Sequence, residues 1–195
     1  MGHEKKSKPS VSRRQFLITG GAVAAASGLP GVSRAADEKE EAKVKTYRTL
    51  GRTGFEVSDI SIGGSGREAN LYRYAYDHGI NYFDTAESYG NGENERTIGE
   101  ALQHMDRKKV FITTKLEMKD DDTKQTILDR FGKCQERLRT EYVDALYMHS
   151  VPKVSTLDNE GFHAAVKQLK ADGRLRFVGV SKHGARSEEE ESMDK

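Results

Sequence analysis

Short apolar runs of β character alternate with amphipathic segments of helical period between residues 59 and 181, and this alternation constrains the fold more than any other feature. The runs begin near residues 59, 81, 110, 143 and 177. Helical patterns fill the gaps, at about 67–78, 94–105, 123–139 and 159–171. In the second of these, Ile98, Ala101, Leu102 and Met105 recur at i, i+3, i+4 and i+7, the spacing of one helix face. Leu71, Tyr72, Ala75 and Tyr76 form the stripe of the first, and Ile127, Phe131, Cys134 and Leu138 that of the third. Narrow stripes suit helices that pack one face on a sheet. The last three strand intervals lie near the ~30 residues of a βα unit. No hairpin signal separates the runs after residue 58, so the strands are expected to be parallel. Before them, residues 47–58 predict two short strands around a turn at Arg52-Thr53-Gly54.

Two α/β architectures satisfy this pattern, an open doubly wound sheet and a (β/α)₈ barrel. The open sheet calls for a G-x-G-x-x-G turn after its first strand and an acid after its second. Gly63-Gly64-Ser65-Gly66 lacks that spacing, which disfavours the open sheet. In a barrel, functional groups come from the ends of several strands, which is the arrangement here. The barrel is the expected fold, with five of its eight strands in the sequence.

Four polar residues, Asp84, Tyr89, Lys115 and His149, fall just past the ends of apolar runs. In a parallel array these ends share one face, so the four side chains are expected to converge. A phenol has a pKa of about 10 and is a poor acid at neutral pH. A nearby ammonium favours its ionised form, and a buried carboxylate beside that ammonium, Asp84, holds it in place and keeps it charged. An imidazole next to the phenol donates a hydrogen bond to a carbonyl oxygen. Together they deliver a proton to an oxygen that becomes negative as hydride reaches carbon. None of the four is a hydride source, so the chemistry calls for a nicotinamide or similar cofactor. A metal-dependent hydrolase is disfavoured because the six histidines include no His-x-His pair. A paired-carboxylate glycosidase would take its acids from different strands, unlike Asp84 and Glu87.

The segment Phe83-Asp-Thr-Ala-Glu-Ser-Tyr-Gly90, with Asn94-Glu95 and Gly99-Glu-Ala-Leu102 after it, resembles the aldo-keto reductase signature. So do Ile112-Thr-Thr-Lys115 and Tyr147-Met-His149, and Arg176–Ser181 resembles the family's fifth-strand segment. Tyr47–Gly54 resembles its barrel-floor hairpin. The resemblance implies a (β/α)₈ barrel and NAD(P)H-dependent reduction of an aldehyde or ketone. Tyr89 is then the general acid, Lys115 and Asp84 tune it, and His149 orients the carbonyl. Ser181 matches the position that contacts the nicotinamide carboxamide, although Lys182 stands where many members have asparagine. NADP(H) is expected over NAD(H). The same family fold also serves as a non-catalytic, cofactor-sensing or interaction subunit, which is the alternative.

Residues 1–36 differ in kind. A basic start leads to Ser12-Arg-Arg-Gln-Phe-Leu17, a glycine- and alanine-rich apolar stretch to about Val32, and Ser33-Arg-Ala-Ala36. This is the layout of an export signal, with small residues at Ser33 and Ala35 favouring cleavage after Ala35 over cleavage after Ala36. The paired arginines and weak hydrophobicity make it resemble a twin-arginine (Tat) leader. The Tat export machinery is therefore an expected partner and the periplasm the expected destination. The apolar run is shorter than the ~20 residues of a membrane span. Residues 37–46 read as a charged linker and 47–195 as the barrel portion. Removing 36 residues from 195 leaves 159, below the ~250 typical of such a barrel. The chain is therefore expected to be an amino-terminal fragment of a longer product, or to fold with a partner. Ser187 with Glu190 reads as the start of a further helix. A net charge of +1, with no long basic stretch in the mature part, argues against nucleic acid. Cys134, the only cysteine, lies on an apolar helix stripe and is expected to be a packed core thiol.

Overall fold

The computed structural model describes residues 43–64 and 66–183. The expected leader and the helix start at Ser187 lie outside them. Strands β1 (Tyr47–Thr49) and β2 (Glu56–Ser58) form an antiparallel hairpin with Arg48 opposite Val57. Its turn closes on Gly54, whose φ of +69° is where glycine is at least cost. Strands β3 (Tyr82–Asp84), β4 (Phe111–Glu117), β5 (Val143–His149) and β6 (Leu175–Val180) then make one parallel sheet. Helices α1 (Ala69–Asp77), α2 (Glu93–Leu102), α3 (Lys124–Leu138) and α4 (Glu160–Ala171) alternate with them. Neighbouring strands are consecutive in sequence throughout. A doubly wound sheet reverses its order at a switch point, and the described strands run in one direction of order without such a reversal.

The expected strand at 59–63 is reduced to one parallel bridge, Ile62 with Phe83. The Ile62 N–H donates to the Tyr82 carbonyl at 3.0 Å, and Asp84 N–H donates to the Ile62 carbonyl at 2.9 Å. Upstream, the Ser58 hydroxyl takes the Ile60 carbonyl at 2.5 Å, a local bond that competes with a ladder. Ile60 is exposed. The stripe of α1 is also narrower than its sequence suggests: Tyr72 and Ala75 are buried, but Leu71 faces solvent.

The other helices follow their patterns closely. Helix α3 opens on a capping box, in which Thr123 Oγ1 accepts from Thr126 N–H and Thr126 Oγ1 accepts from Thr123 N–H. Such reciprocal caps satisfy orphan donors of the first turn. Asn159 caps α4 through the Phe162 N–H at 2.7 Å. Phe83, Ile98, Ile112, Phe131, Leu146 and Leu169 are fully buried between sheet and helices. β4 is buried on both faces, as parallel strands covered by helices are. Cys134 is wholly buried, and burial pushes its thiol pKa up, so it is a core residue as expected. On β6, Val178 and Val180 remain exposed on one face.

Two ionic anchors tie the layers. At the amino-terminal end of the sheet, the buried Asp144 carboxylate accepts from Arg107 at 2.7 Å, Arg176 at 3.0 Å and the Ile112 N–H at 3.0 Å. Between α2 and α3, the fully buried Glu95 accepts from Arg137 Nε at 2.6 Å and from Thr114 Oγ1 at 2.5 Å.

Candidate active site

Register places the polar residues at one edge of the sheet. Asp84 ends β3, His149 ends β5 and lies opposite Glu117 in β4, and Lys115 lies opposite Tyr147. Beyond Asp84 the chain still runs along β4, because the Thr85 and Glu87 N–H groups donate to the Thr113 and Lys115 carbonyls. A turn then delivers Tyr89 back over the sheet, its N–H donating to the Ala86 carbonyl at 3.1 Å.

The four residues meet. Lys115 Nζ donates to Asp84 Oδ1 at 2.5 Å, to the Thr85 carbonyl at 2.9 Å and to the Tyr89 hydroxyl at 3.4 Å. Those three acceptors match the three N–H donors of an ammonium. Lys115 is 6% exposed, so its charge depends on these partners. The Asp84 side chain, expected to be buried, is 29% exposed and reaches both the lysine and solvent. The Tyr89 and His149 rings meet edge to face with centroids 5.6 Å apart.

His149 is also buried, with Ser88 Oγ 3.5 Å and Glu117 Oε1 3.9 Å from Nδ1. Burial lowers its pKa first and the Lys115 ammonium lowers it further; Glu117 and Asp84 oppose this, and His183 adds to it. The imidazole is therefore neutral at pH 7 and keeps one ring N–H to donate. The same shift predicts a pH dependence of stability. As pH falls through the unfolded value near 6.5, the unfolded chain takes up the proton before the folded one, so stability declines with falling pH. His149→Gln is expected to flatten that part of the decline, measured as urea midpoints between about pH 7 and 5.

Ser181, one residue past β6, accepts from the Ser150 N–H at 3.0 Å, and Ser150 follows His149. It thus stands at the neighbouring strand end rather than within the four. A hollow of about 320 Å³ opens beside His149, lined by Glu117, Met118, Ser150, Pro152, Lys182 and His183. Tyr89 borders a second hollow of about 460 Å³ with Gly64, Arg67 and Asn94. A larger one, about 730 Å³, lies by the hairpin against Tyr47, Phe55, Tyr76 and Lys109. It contains none of the convergent groups.

Gly64 was not legible as a site residue. A Cβ there would lie inside the Tyr89 ring, against Cδ2 and Cε2, so the missing side chain is what lets the phenol sit where it does. Gly64→Ala is expected to displace the ring and lower any turnover about 10-fold or more, with a small change in Tm. Turnover of the alanine variant equal to wild type would contradict this. Glu87 and Arg130 were likewise unforeseen; their ion pair spans 43 positions of sequence, and only the glutamate's place inside the motif marked it.

The aldo/keto reductase family profile matches residues 66–193. The soybean (Glycine max) protein named "Probable aldo-keto reductase 1" is 30% identical over 152 residues, which are 68% of this chain and 43% of that protein. The Arabidopsis thaliana protein named "Probable voltage-gated potassium channel subunit beta" is 32% identical over 127 residues, covering 56% of this chain and 38% of its own length. Among solved structures, an aldo-keto reductase from Klebsiella pneumoniae in complex with NADPH superposes with a TM-score of 0.58 at 27% identity, over 72% of this chain and 50% of that one. The chain thus spans about half the length of the relatives it matches, and its parallel βα units are those of their TIM-barrel fold. It belongs to the aldo/keto reductase family.

Proposed function

We propose that this protein is an NAD(P)H-dependent oxidoreductase that reduces a small aldehyde or ketone to an alcohol, with Tyr89 as the proton donor. The observation that carries this reading is the Asp84–Lys115–Tyr89 chain of contacts, with Nζ 2.5 Å from the carboxylate and 3.4 Å from the phenol oxygen. The longer contact suits a site without substrate, where catalytic hydrogen bonds are often loose and tighten on binding. The Tyr89 O–H donates to the carbonyl oxygen, and the ammonium stabilises the phenolate left behind. Asp84 and the Thr85 carbonyl hold the ammonium. The neutral His149 ring donates its N–H to the same carbonyl oxygen and so orients it.

A reduced nicotinamide supplies the hydride when bound. The residues present fit its reactive end: Ser181 accepts from Ser150 N–H and retains its own O–H for a carboxamide. The adjoining hollow of about 320 Å³ is at the small end of ligand pockets, which run from ~300 to ~1,000 Å³. The family resemblance and the NADPH-bound Klebsiella relative support NADP(H) over NAD(H). Spectrophotometric oxidation of NADPH and of NADH, with a panel of small aldehydes, tests the reading and ranks the cofactors. No consumption of either by folded full-length chain would overturn it.

Likeness to the Arabidopsis protein named as a channel beta subunit favours a second reading, a subunit that binds cofactor or partner without turnover. Tight nucleotide binding in the absence of aldehyde reduction distinguishes it. The Tat-type leader at residues 1–36 supports export in folded form to the periplasm. Export that survives replacement of both Arg13 and Arg14 by lysine, followed by cell fractionation, would contradict that.

A further inference from the structure

We infer that Arg130 is a positioning residue, clamping the loop that carries Tyr89 to the strand that carries Lys115 and so setting the phenol–ammonium distance. Its catalytic meaning rests on the reduction chemistry proposed above. Arg130 lies in the middle of α3 and its side chain is 16% exposed. A guanidinium has five N–H donors in a rigid fork, and all three of its nitrogens find acceptors here. Nε donates to Glu87 Oε2 at 3.2 Å, and Nη2 donates to Glu87 Oε1 and to the Glu117 carbonyl, the latter at 2.6 Å. Nη1 donates to both carboxylate oxygens of Asp122, at 3.0 and 2.8 Å.

The position of those acceptors separates this contact from an ordinary surface ion pair, worth ~0–1 kcal/mol. Glu87 lies between Asp84 and Tyr89 in the loop, and Glu117 lies two residues beyond Lys115 in β4. A single side chain therefore grips both segments whose separation decides whether Nζ reaches the phenol oxygen. The grip is cross-braced, since the Glu117 N–H also donates to Glu87 Oε1 at 3.3 Å. Asp122 anchors the guanidinium from the far side and is itself fixed by the Lys119 N–H at 2.8 Å and the Thr126 hydroxyl at 3.2 Å. Burial disfavours the Arg130 charge, but the hydrogen bonds and charges of Glu87 and Asp122 outweigh it and raise its pKa. Lysine carries the charge but is a point donor that cannot span three acceptor groups in fixed geometry.

The test compares Arg130→Met and Arg130→Lys with Arg107→Met, which breaks an ion pair at the opposite end of the sheet. In full-length protein with ¹³C-labelled tyrosine, the Tyr89 ring signal is assigned by its loss in Tyr89→Phe. Both Arg130 variants are expected to shift that signal, and Arg107→Met to leave it in place. A displacement near 1 Å costs about 100-fold in rate. The Arg130 variants are therefore expected to lose about 10- to 100-fold in kcat with little change in KM, without rescue by lysine. Arg107→Met should keep its kcat while losing Tm. An unmoved Tyr89 signal in Arg130→Met overturns the inference, whatever the turnover. A shifted signal in a protein whose wild type reduces no carbonyl upholds the clamp and overturns the proposed reaction instead.

Discussion

Tyr89→Phe is expected to remove about 10²- to 10⁴-fold of kcat for carbonyl reduction, the range that a positioned general acid contributes, while cofactor affinity stays close to wild type. The substitution removes one oxygen and keeps the ring. Its edge-to-face contact with His149 and its seat over Gly64 therefore persist, and Tm should change little. The loss then belongs to the transition state alone, visible as equal falls in kcat and kcat/KM. Lys115→Met tests the same step from the other side. It leaves Asp84 and the phenol in place but removes the cation 3.4 Å from the phenol oxygen. Full turnover in Tyr89→Phe, measured by initial rates under saturating cofactor, would assign the proton to another group.

The second large effect concerns stability. Arg137→Met is expected to cost ~3–5 kcal/mol, because it strands the Glu95 carboxylate, at 0% exposure, without its charged partner, although the Thr114 hydroxyl still donates to it. Breaking one side of a buried pair costs that much where the surviving charge cannot reach water. For a domain of this size, each kcal/mol corresponds to about 2–4 °C in Tm, so thermal unfolding should show a drop of roughly 10 °C. Arg137→Met combined with Glu95→Gln should recover much of it, since the stranded charge is then gone. A single variant that melts with wild type would mean that Glu95 gains solvent or a new partner. The pair matters to the site as well as to the core. Glu95 is bonded to Thr114, the residue before Lys115, and α2 follows directly on the Tyr89 loop. Gly99 permits the close approach of α2 to α3 that the pair requires, since a Cβ there would collide with the backbone at Arg137 and Leu138.

The sequence made the architecture readable because hydrophobic period and strand spacing are local signals. Helices α2, α3 and α4 begin and end within a few residues of their patterns, and the hairpin turn lies where Gly54 marks it. The four convergent residues were readable for a related reason: each follows an apolar run, and a parallel sheet brings such ends together. The strand expected at 59–63 is reduced to the Ile62–Phe83 bridge, and upstream of it the Ile60 carbonyl accepts from the Ser58 hydroxyl instead of from a ladder. Asp84, read as a buried partner of Lys115, proved partly exposed, because solvent access at a strand end depends on the surrounding loops. The ion pairs were invisible for a different reason. Arg130 with Glu87 and Arg137 with Glu95 join residues 43 and 42 positions apart. In a chain whose charged residues make up 32% of the total, Arg130 and Arg137 each read as one more solvated surface group. Only the packing of α3 against the sheet reveals that their partners are fixed.

If these strand ends supply the proton for a hydride transfer, deuterium on the transferable nicotinamide carbon must reach the carbonyl carbon of the product. The full-length chain is incubated with a small aldehyde and NADPH carrying deuterium at the transferable C4 position, and the alcohol is examined by mass spectrometry. The expected product is an alcohol with one deuterium on its carbinol carbon, formed by wild type and not by Tyr89→Phe. Aldehyde recovered unreduced from folded, cofactor-bound wild type, or alcohol formed equally by both proteins, would contradict it.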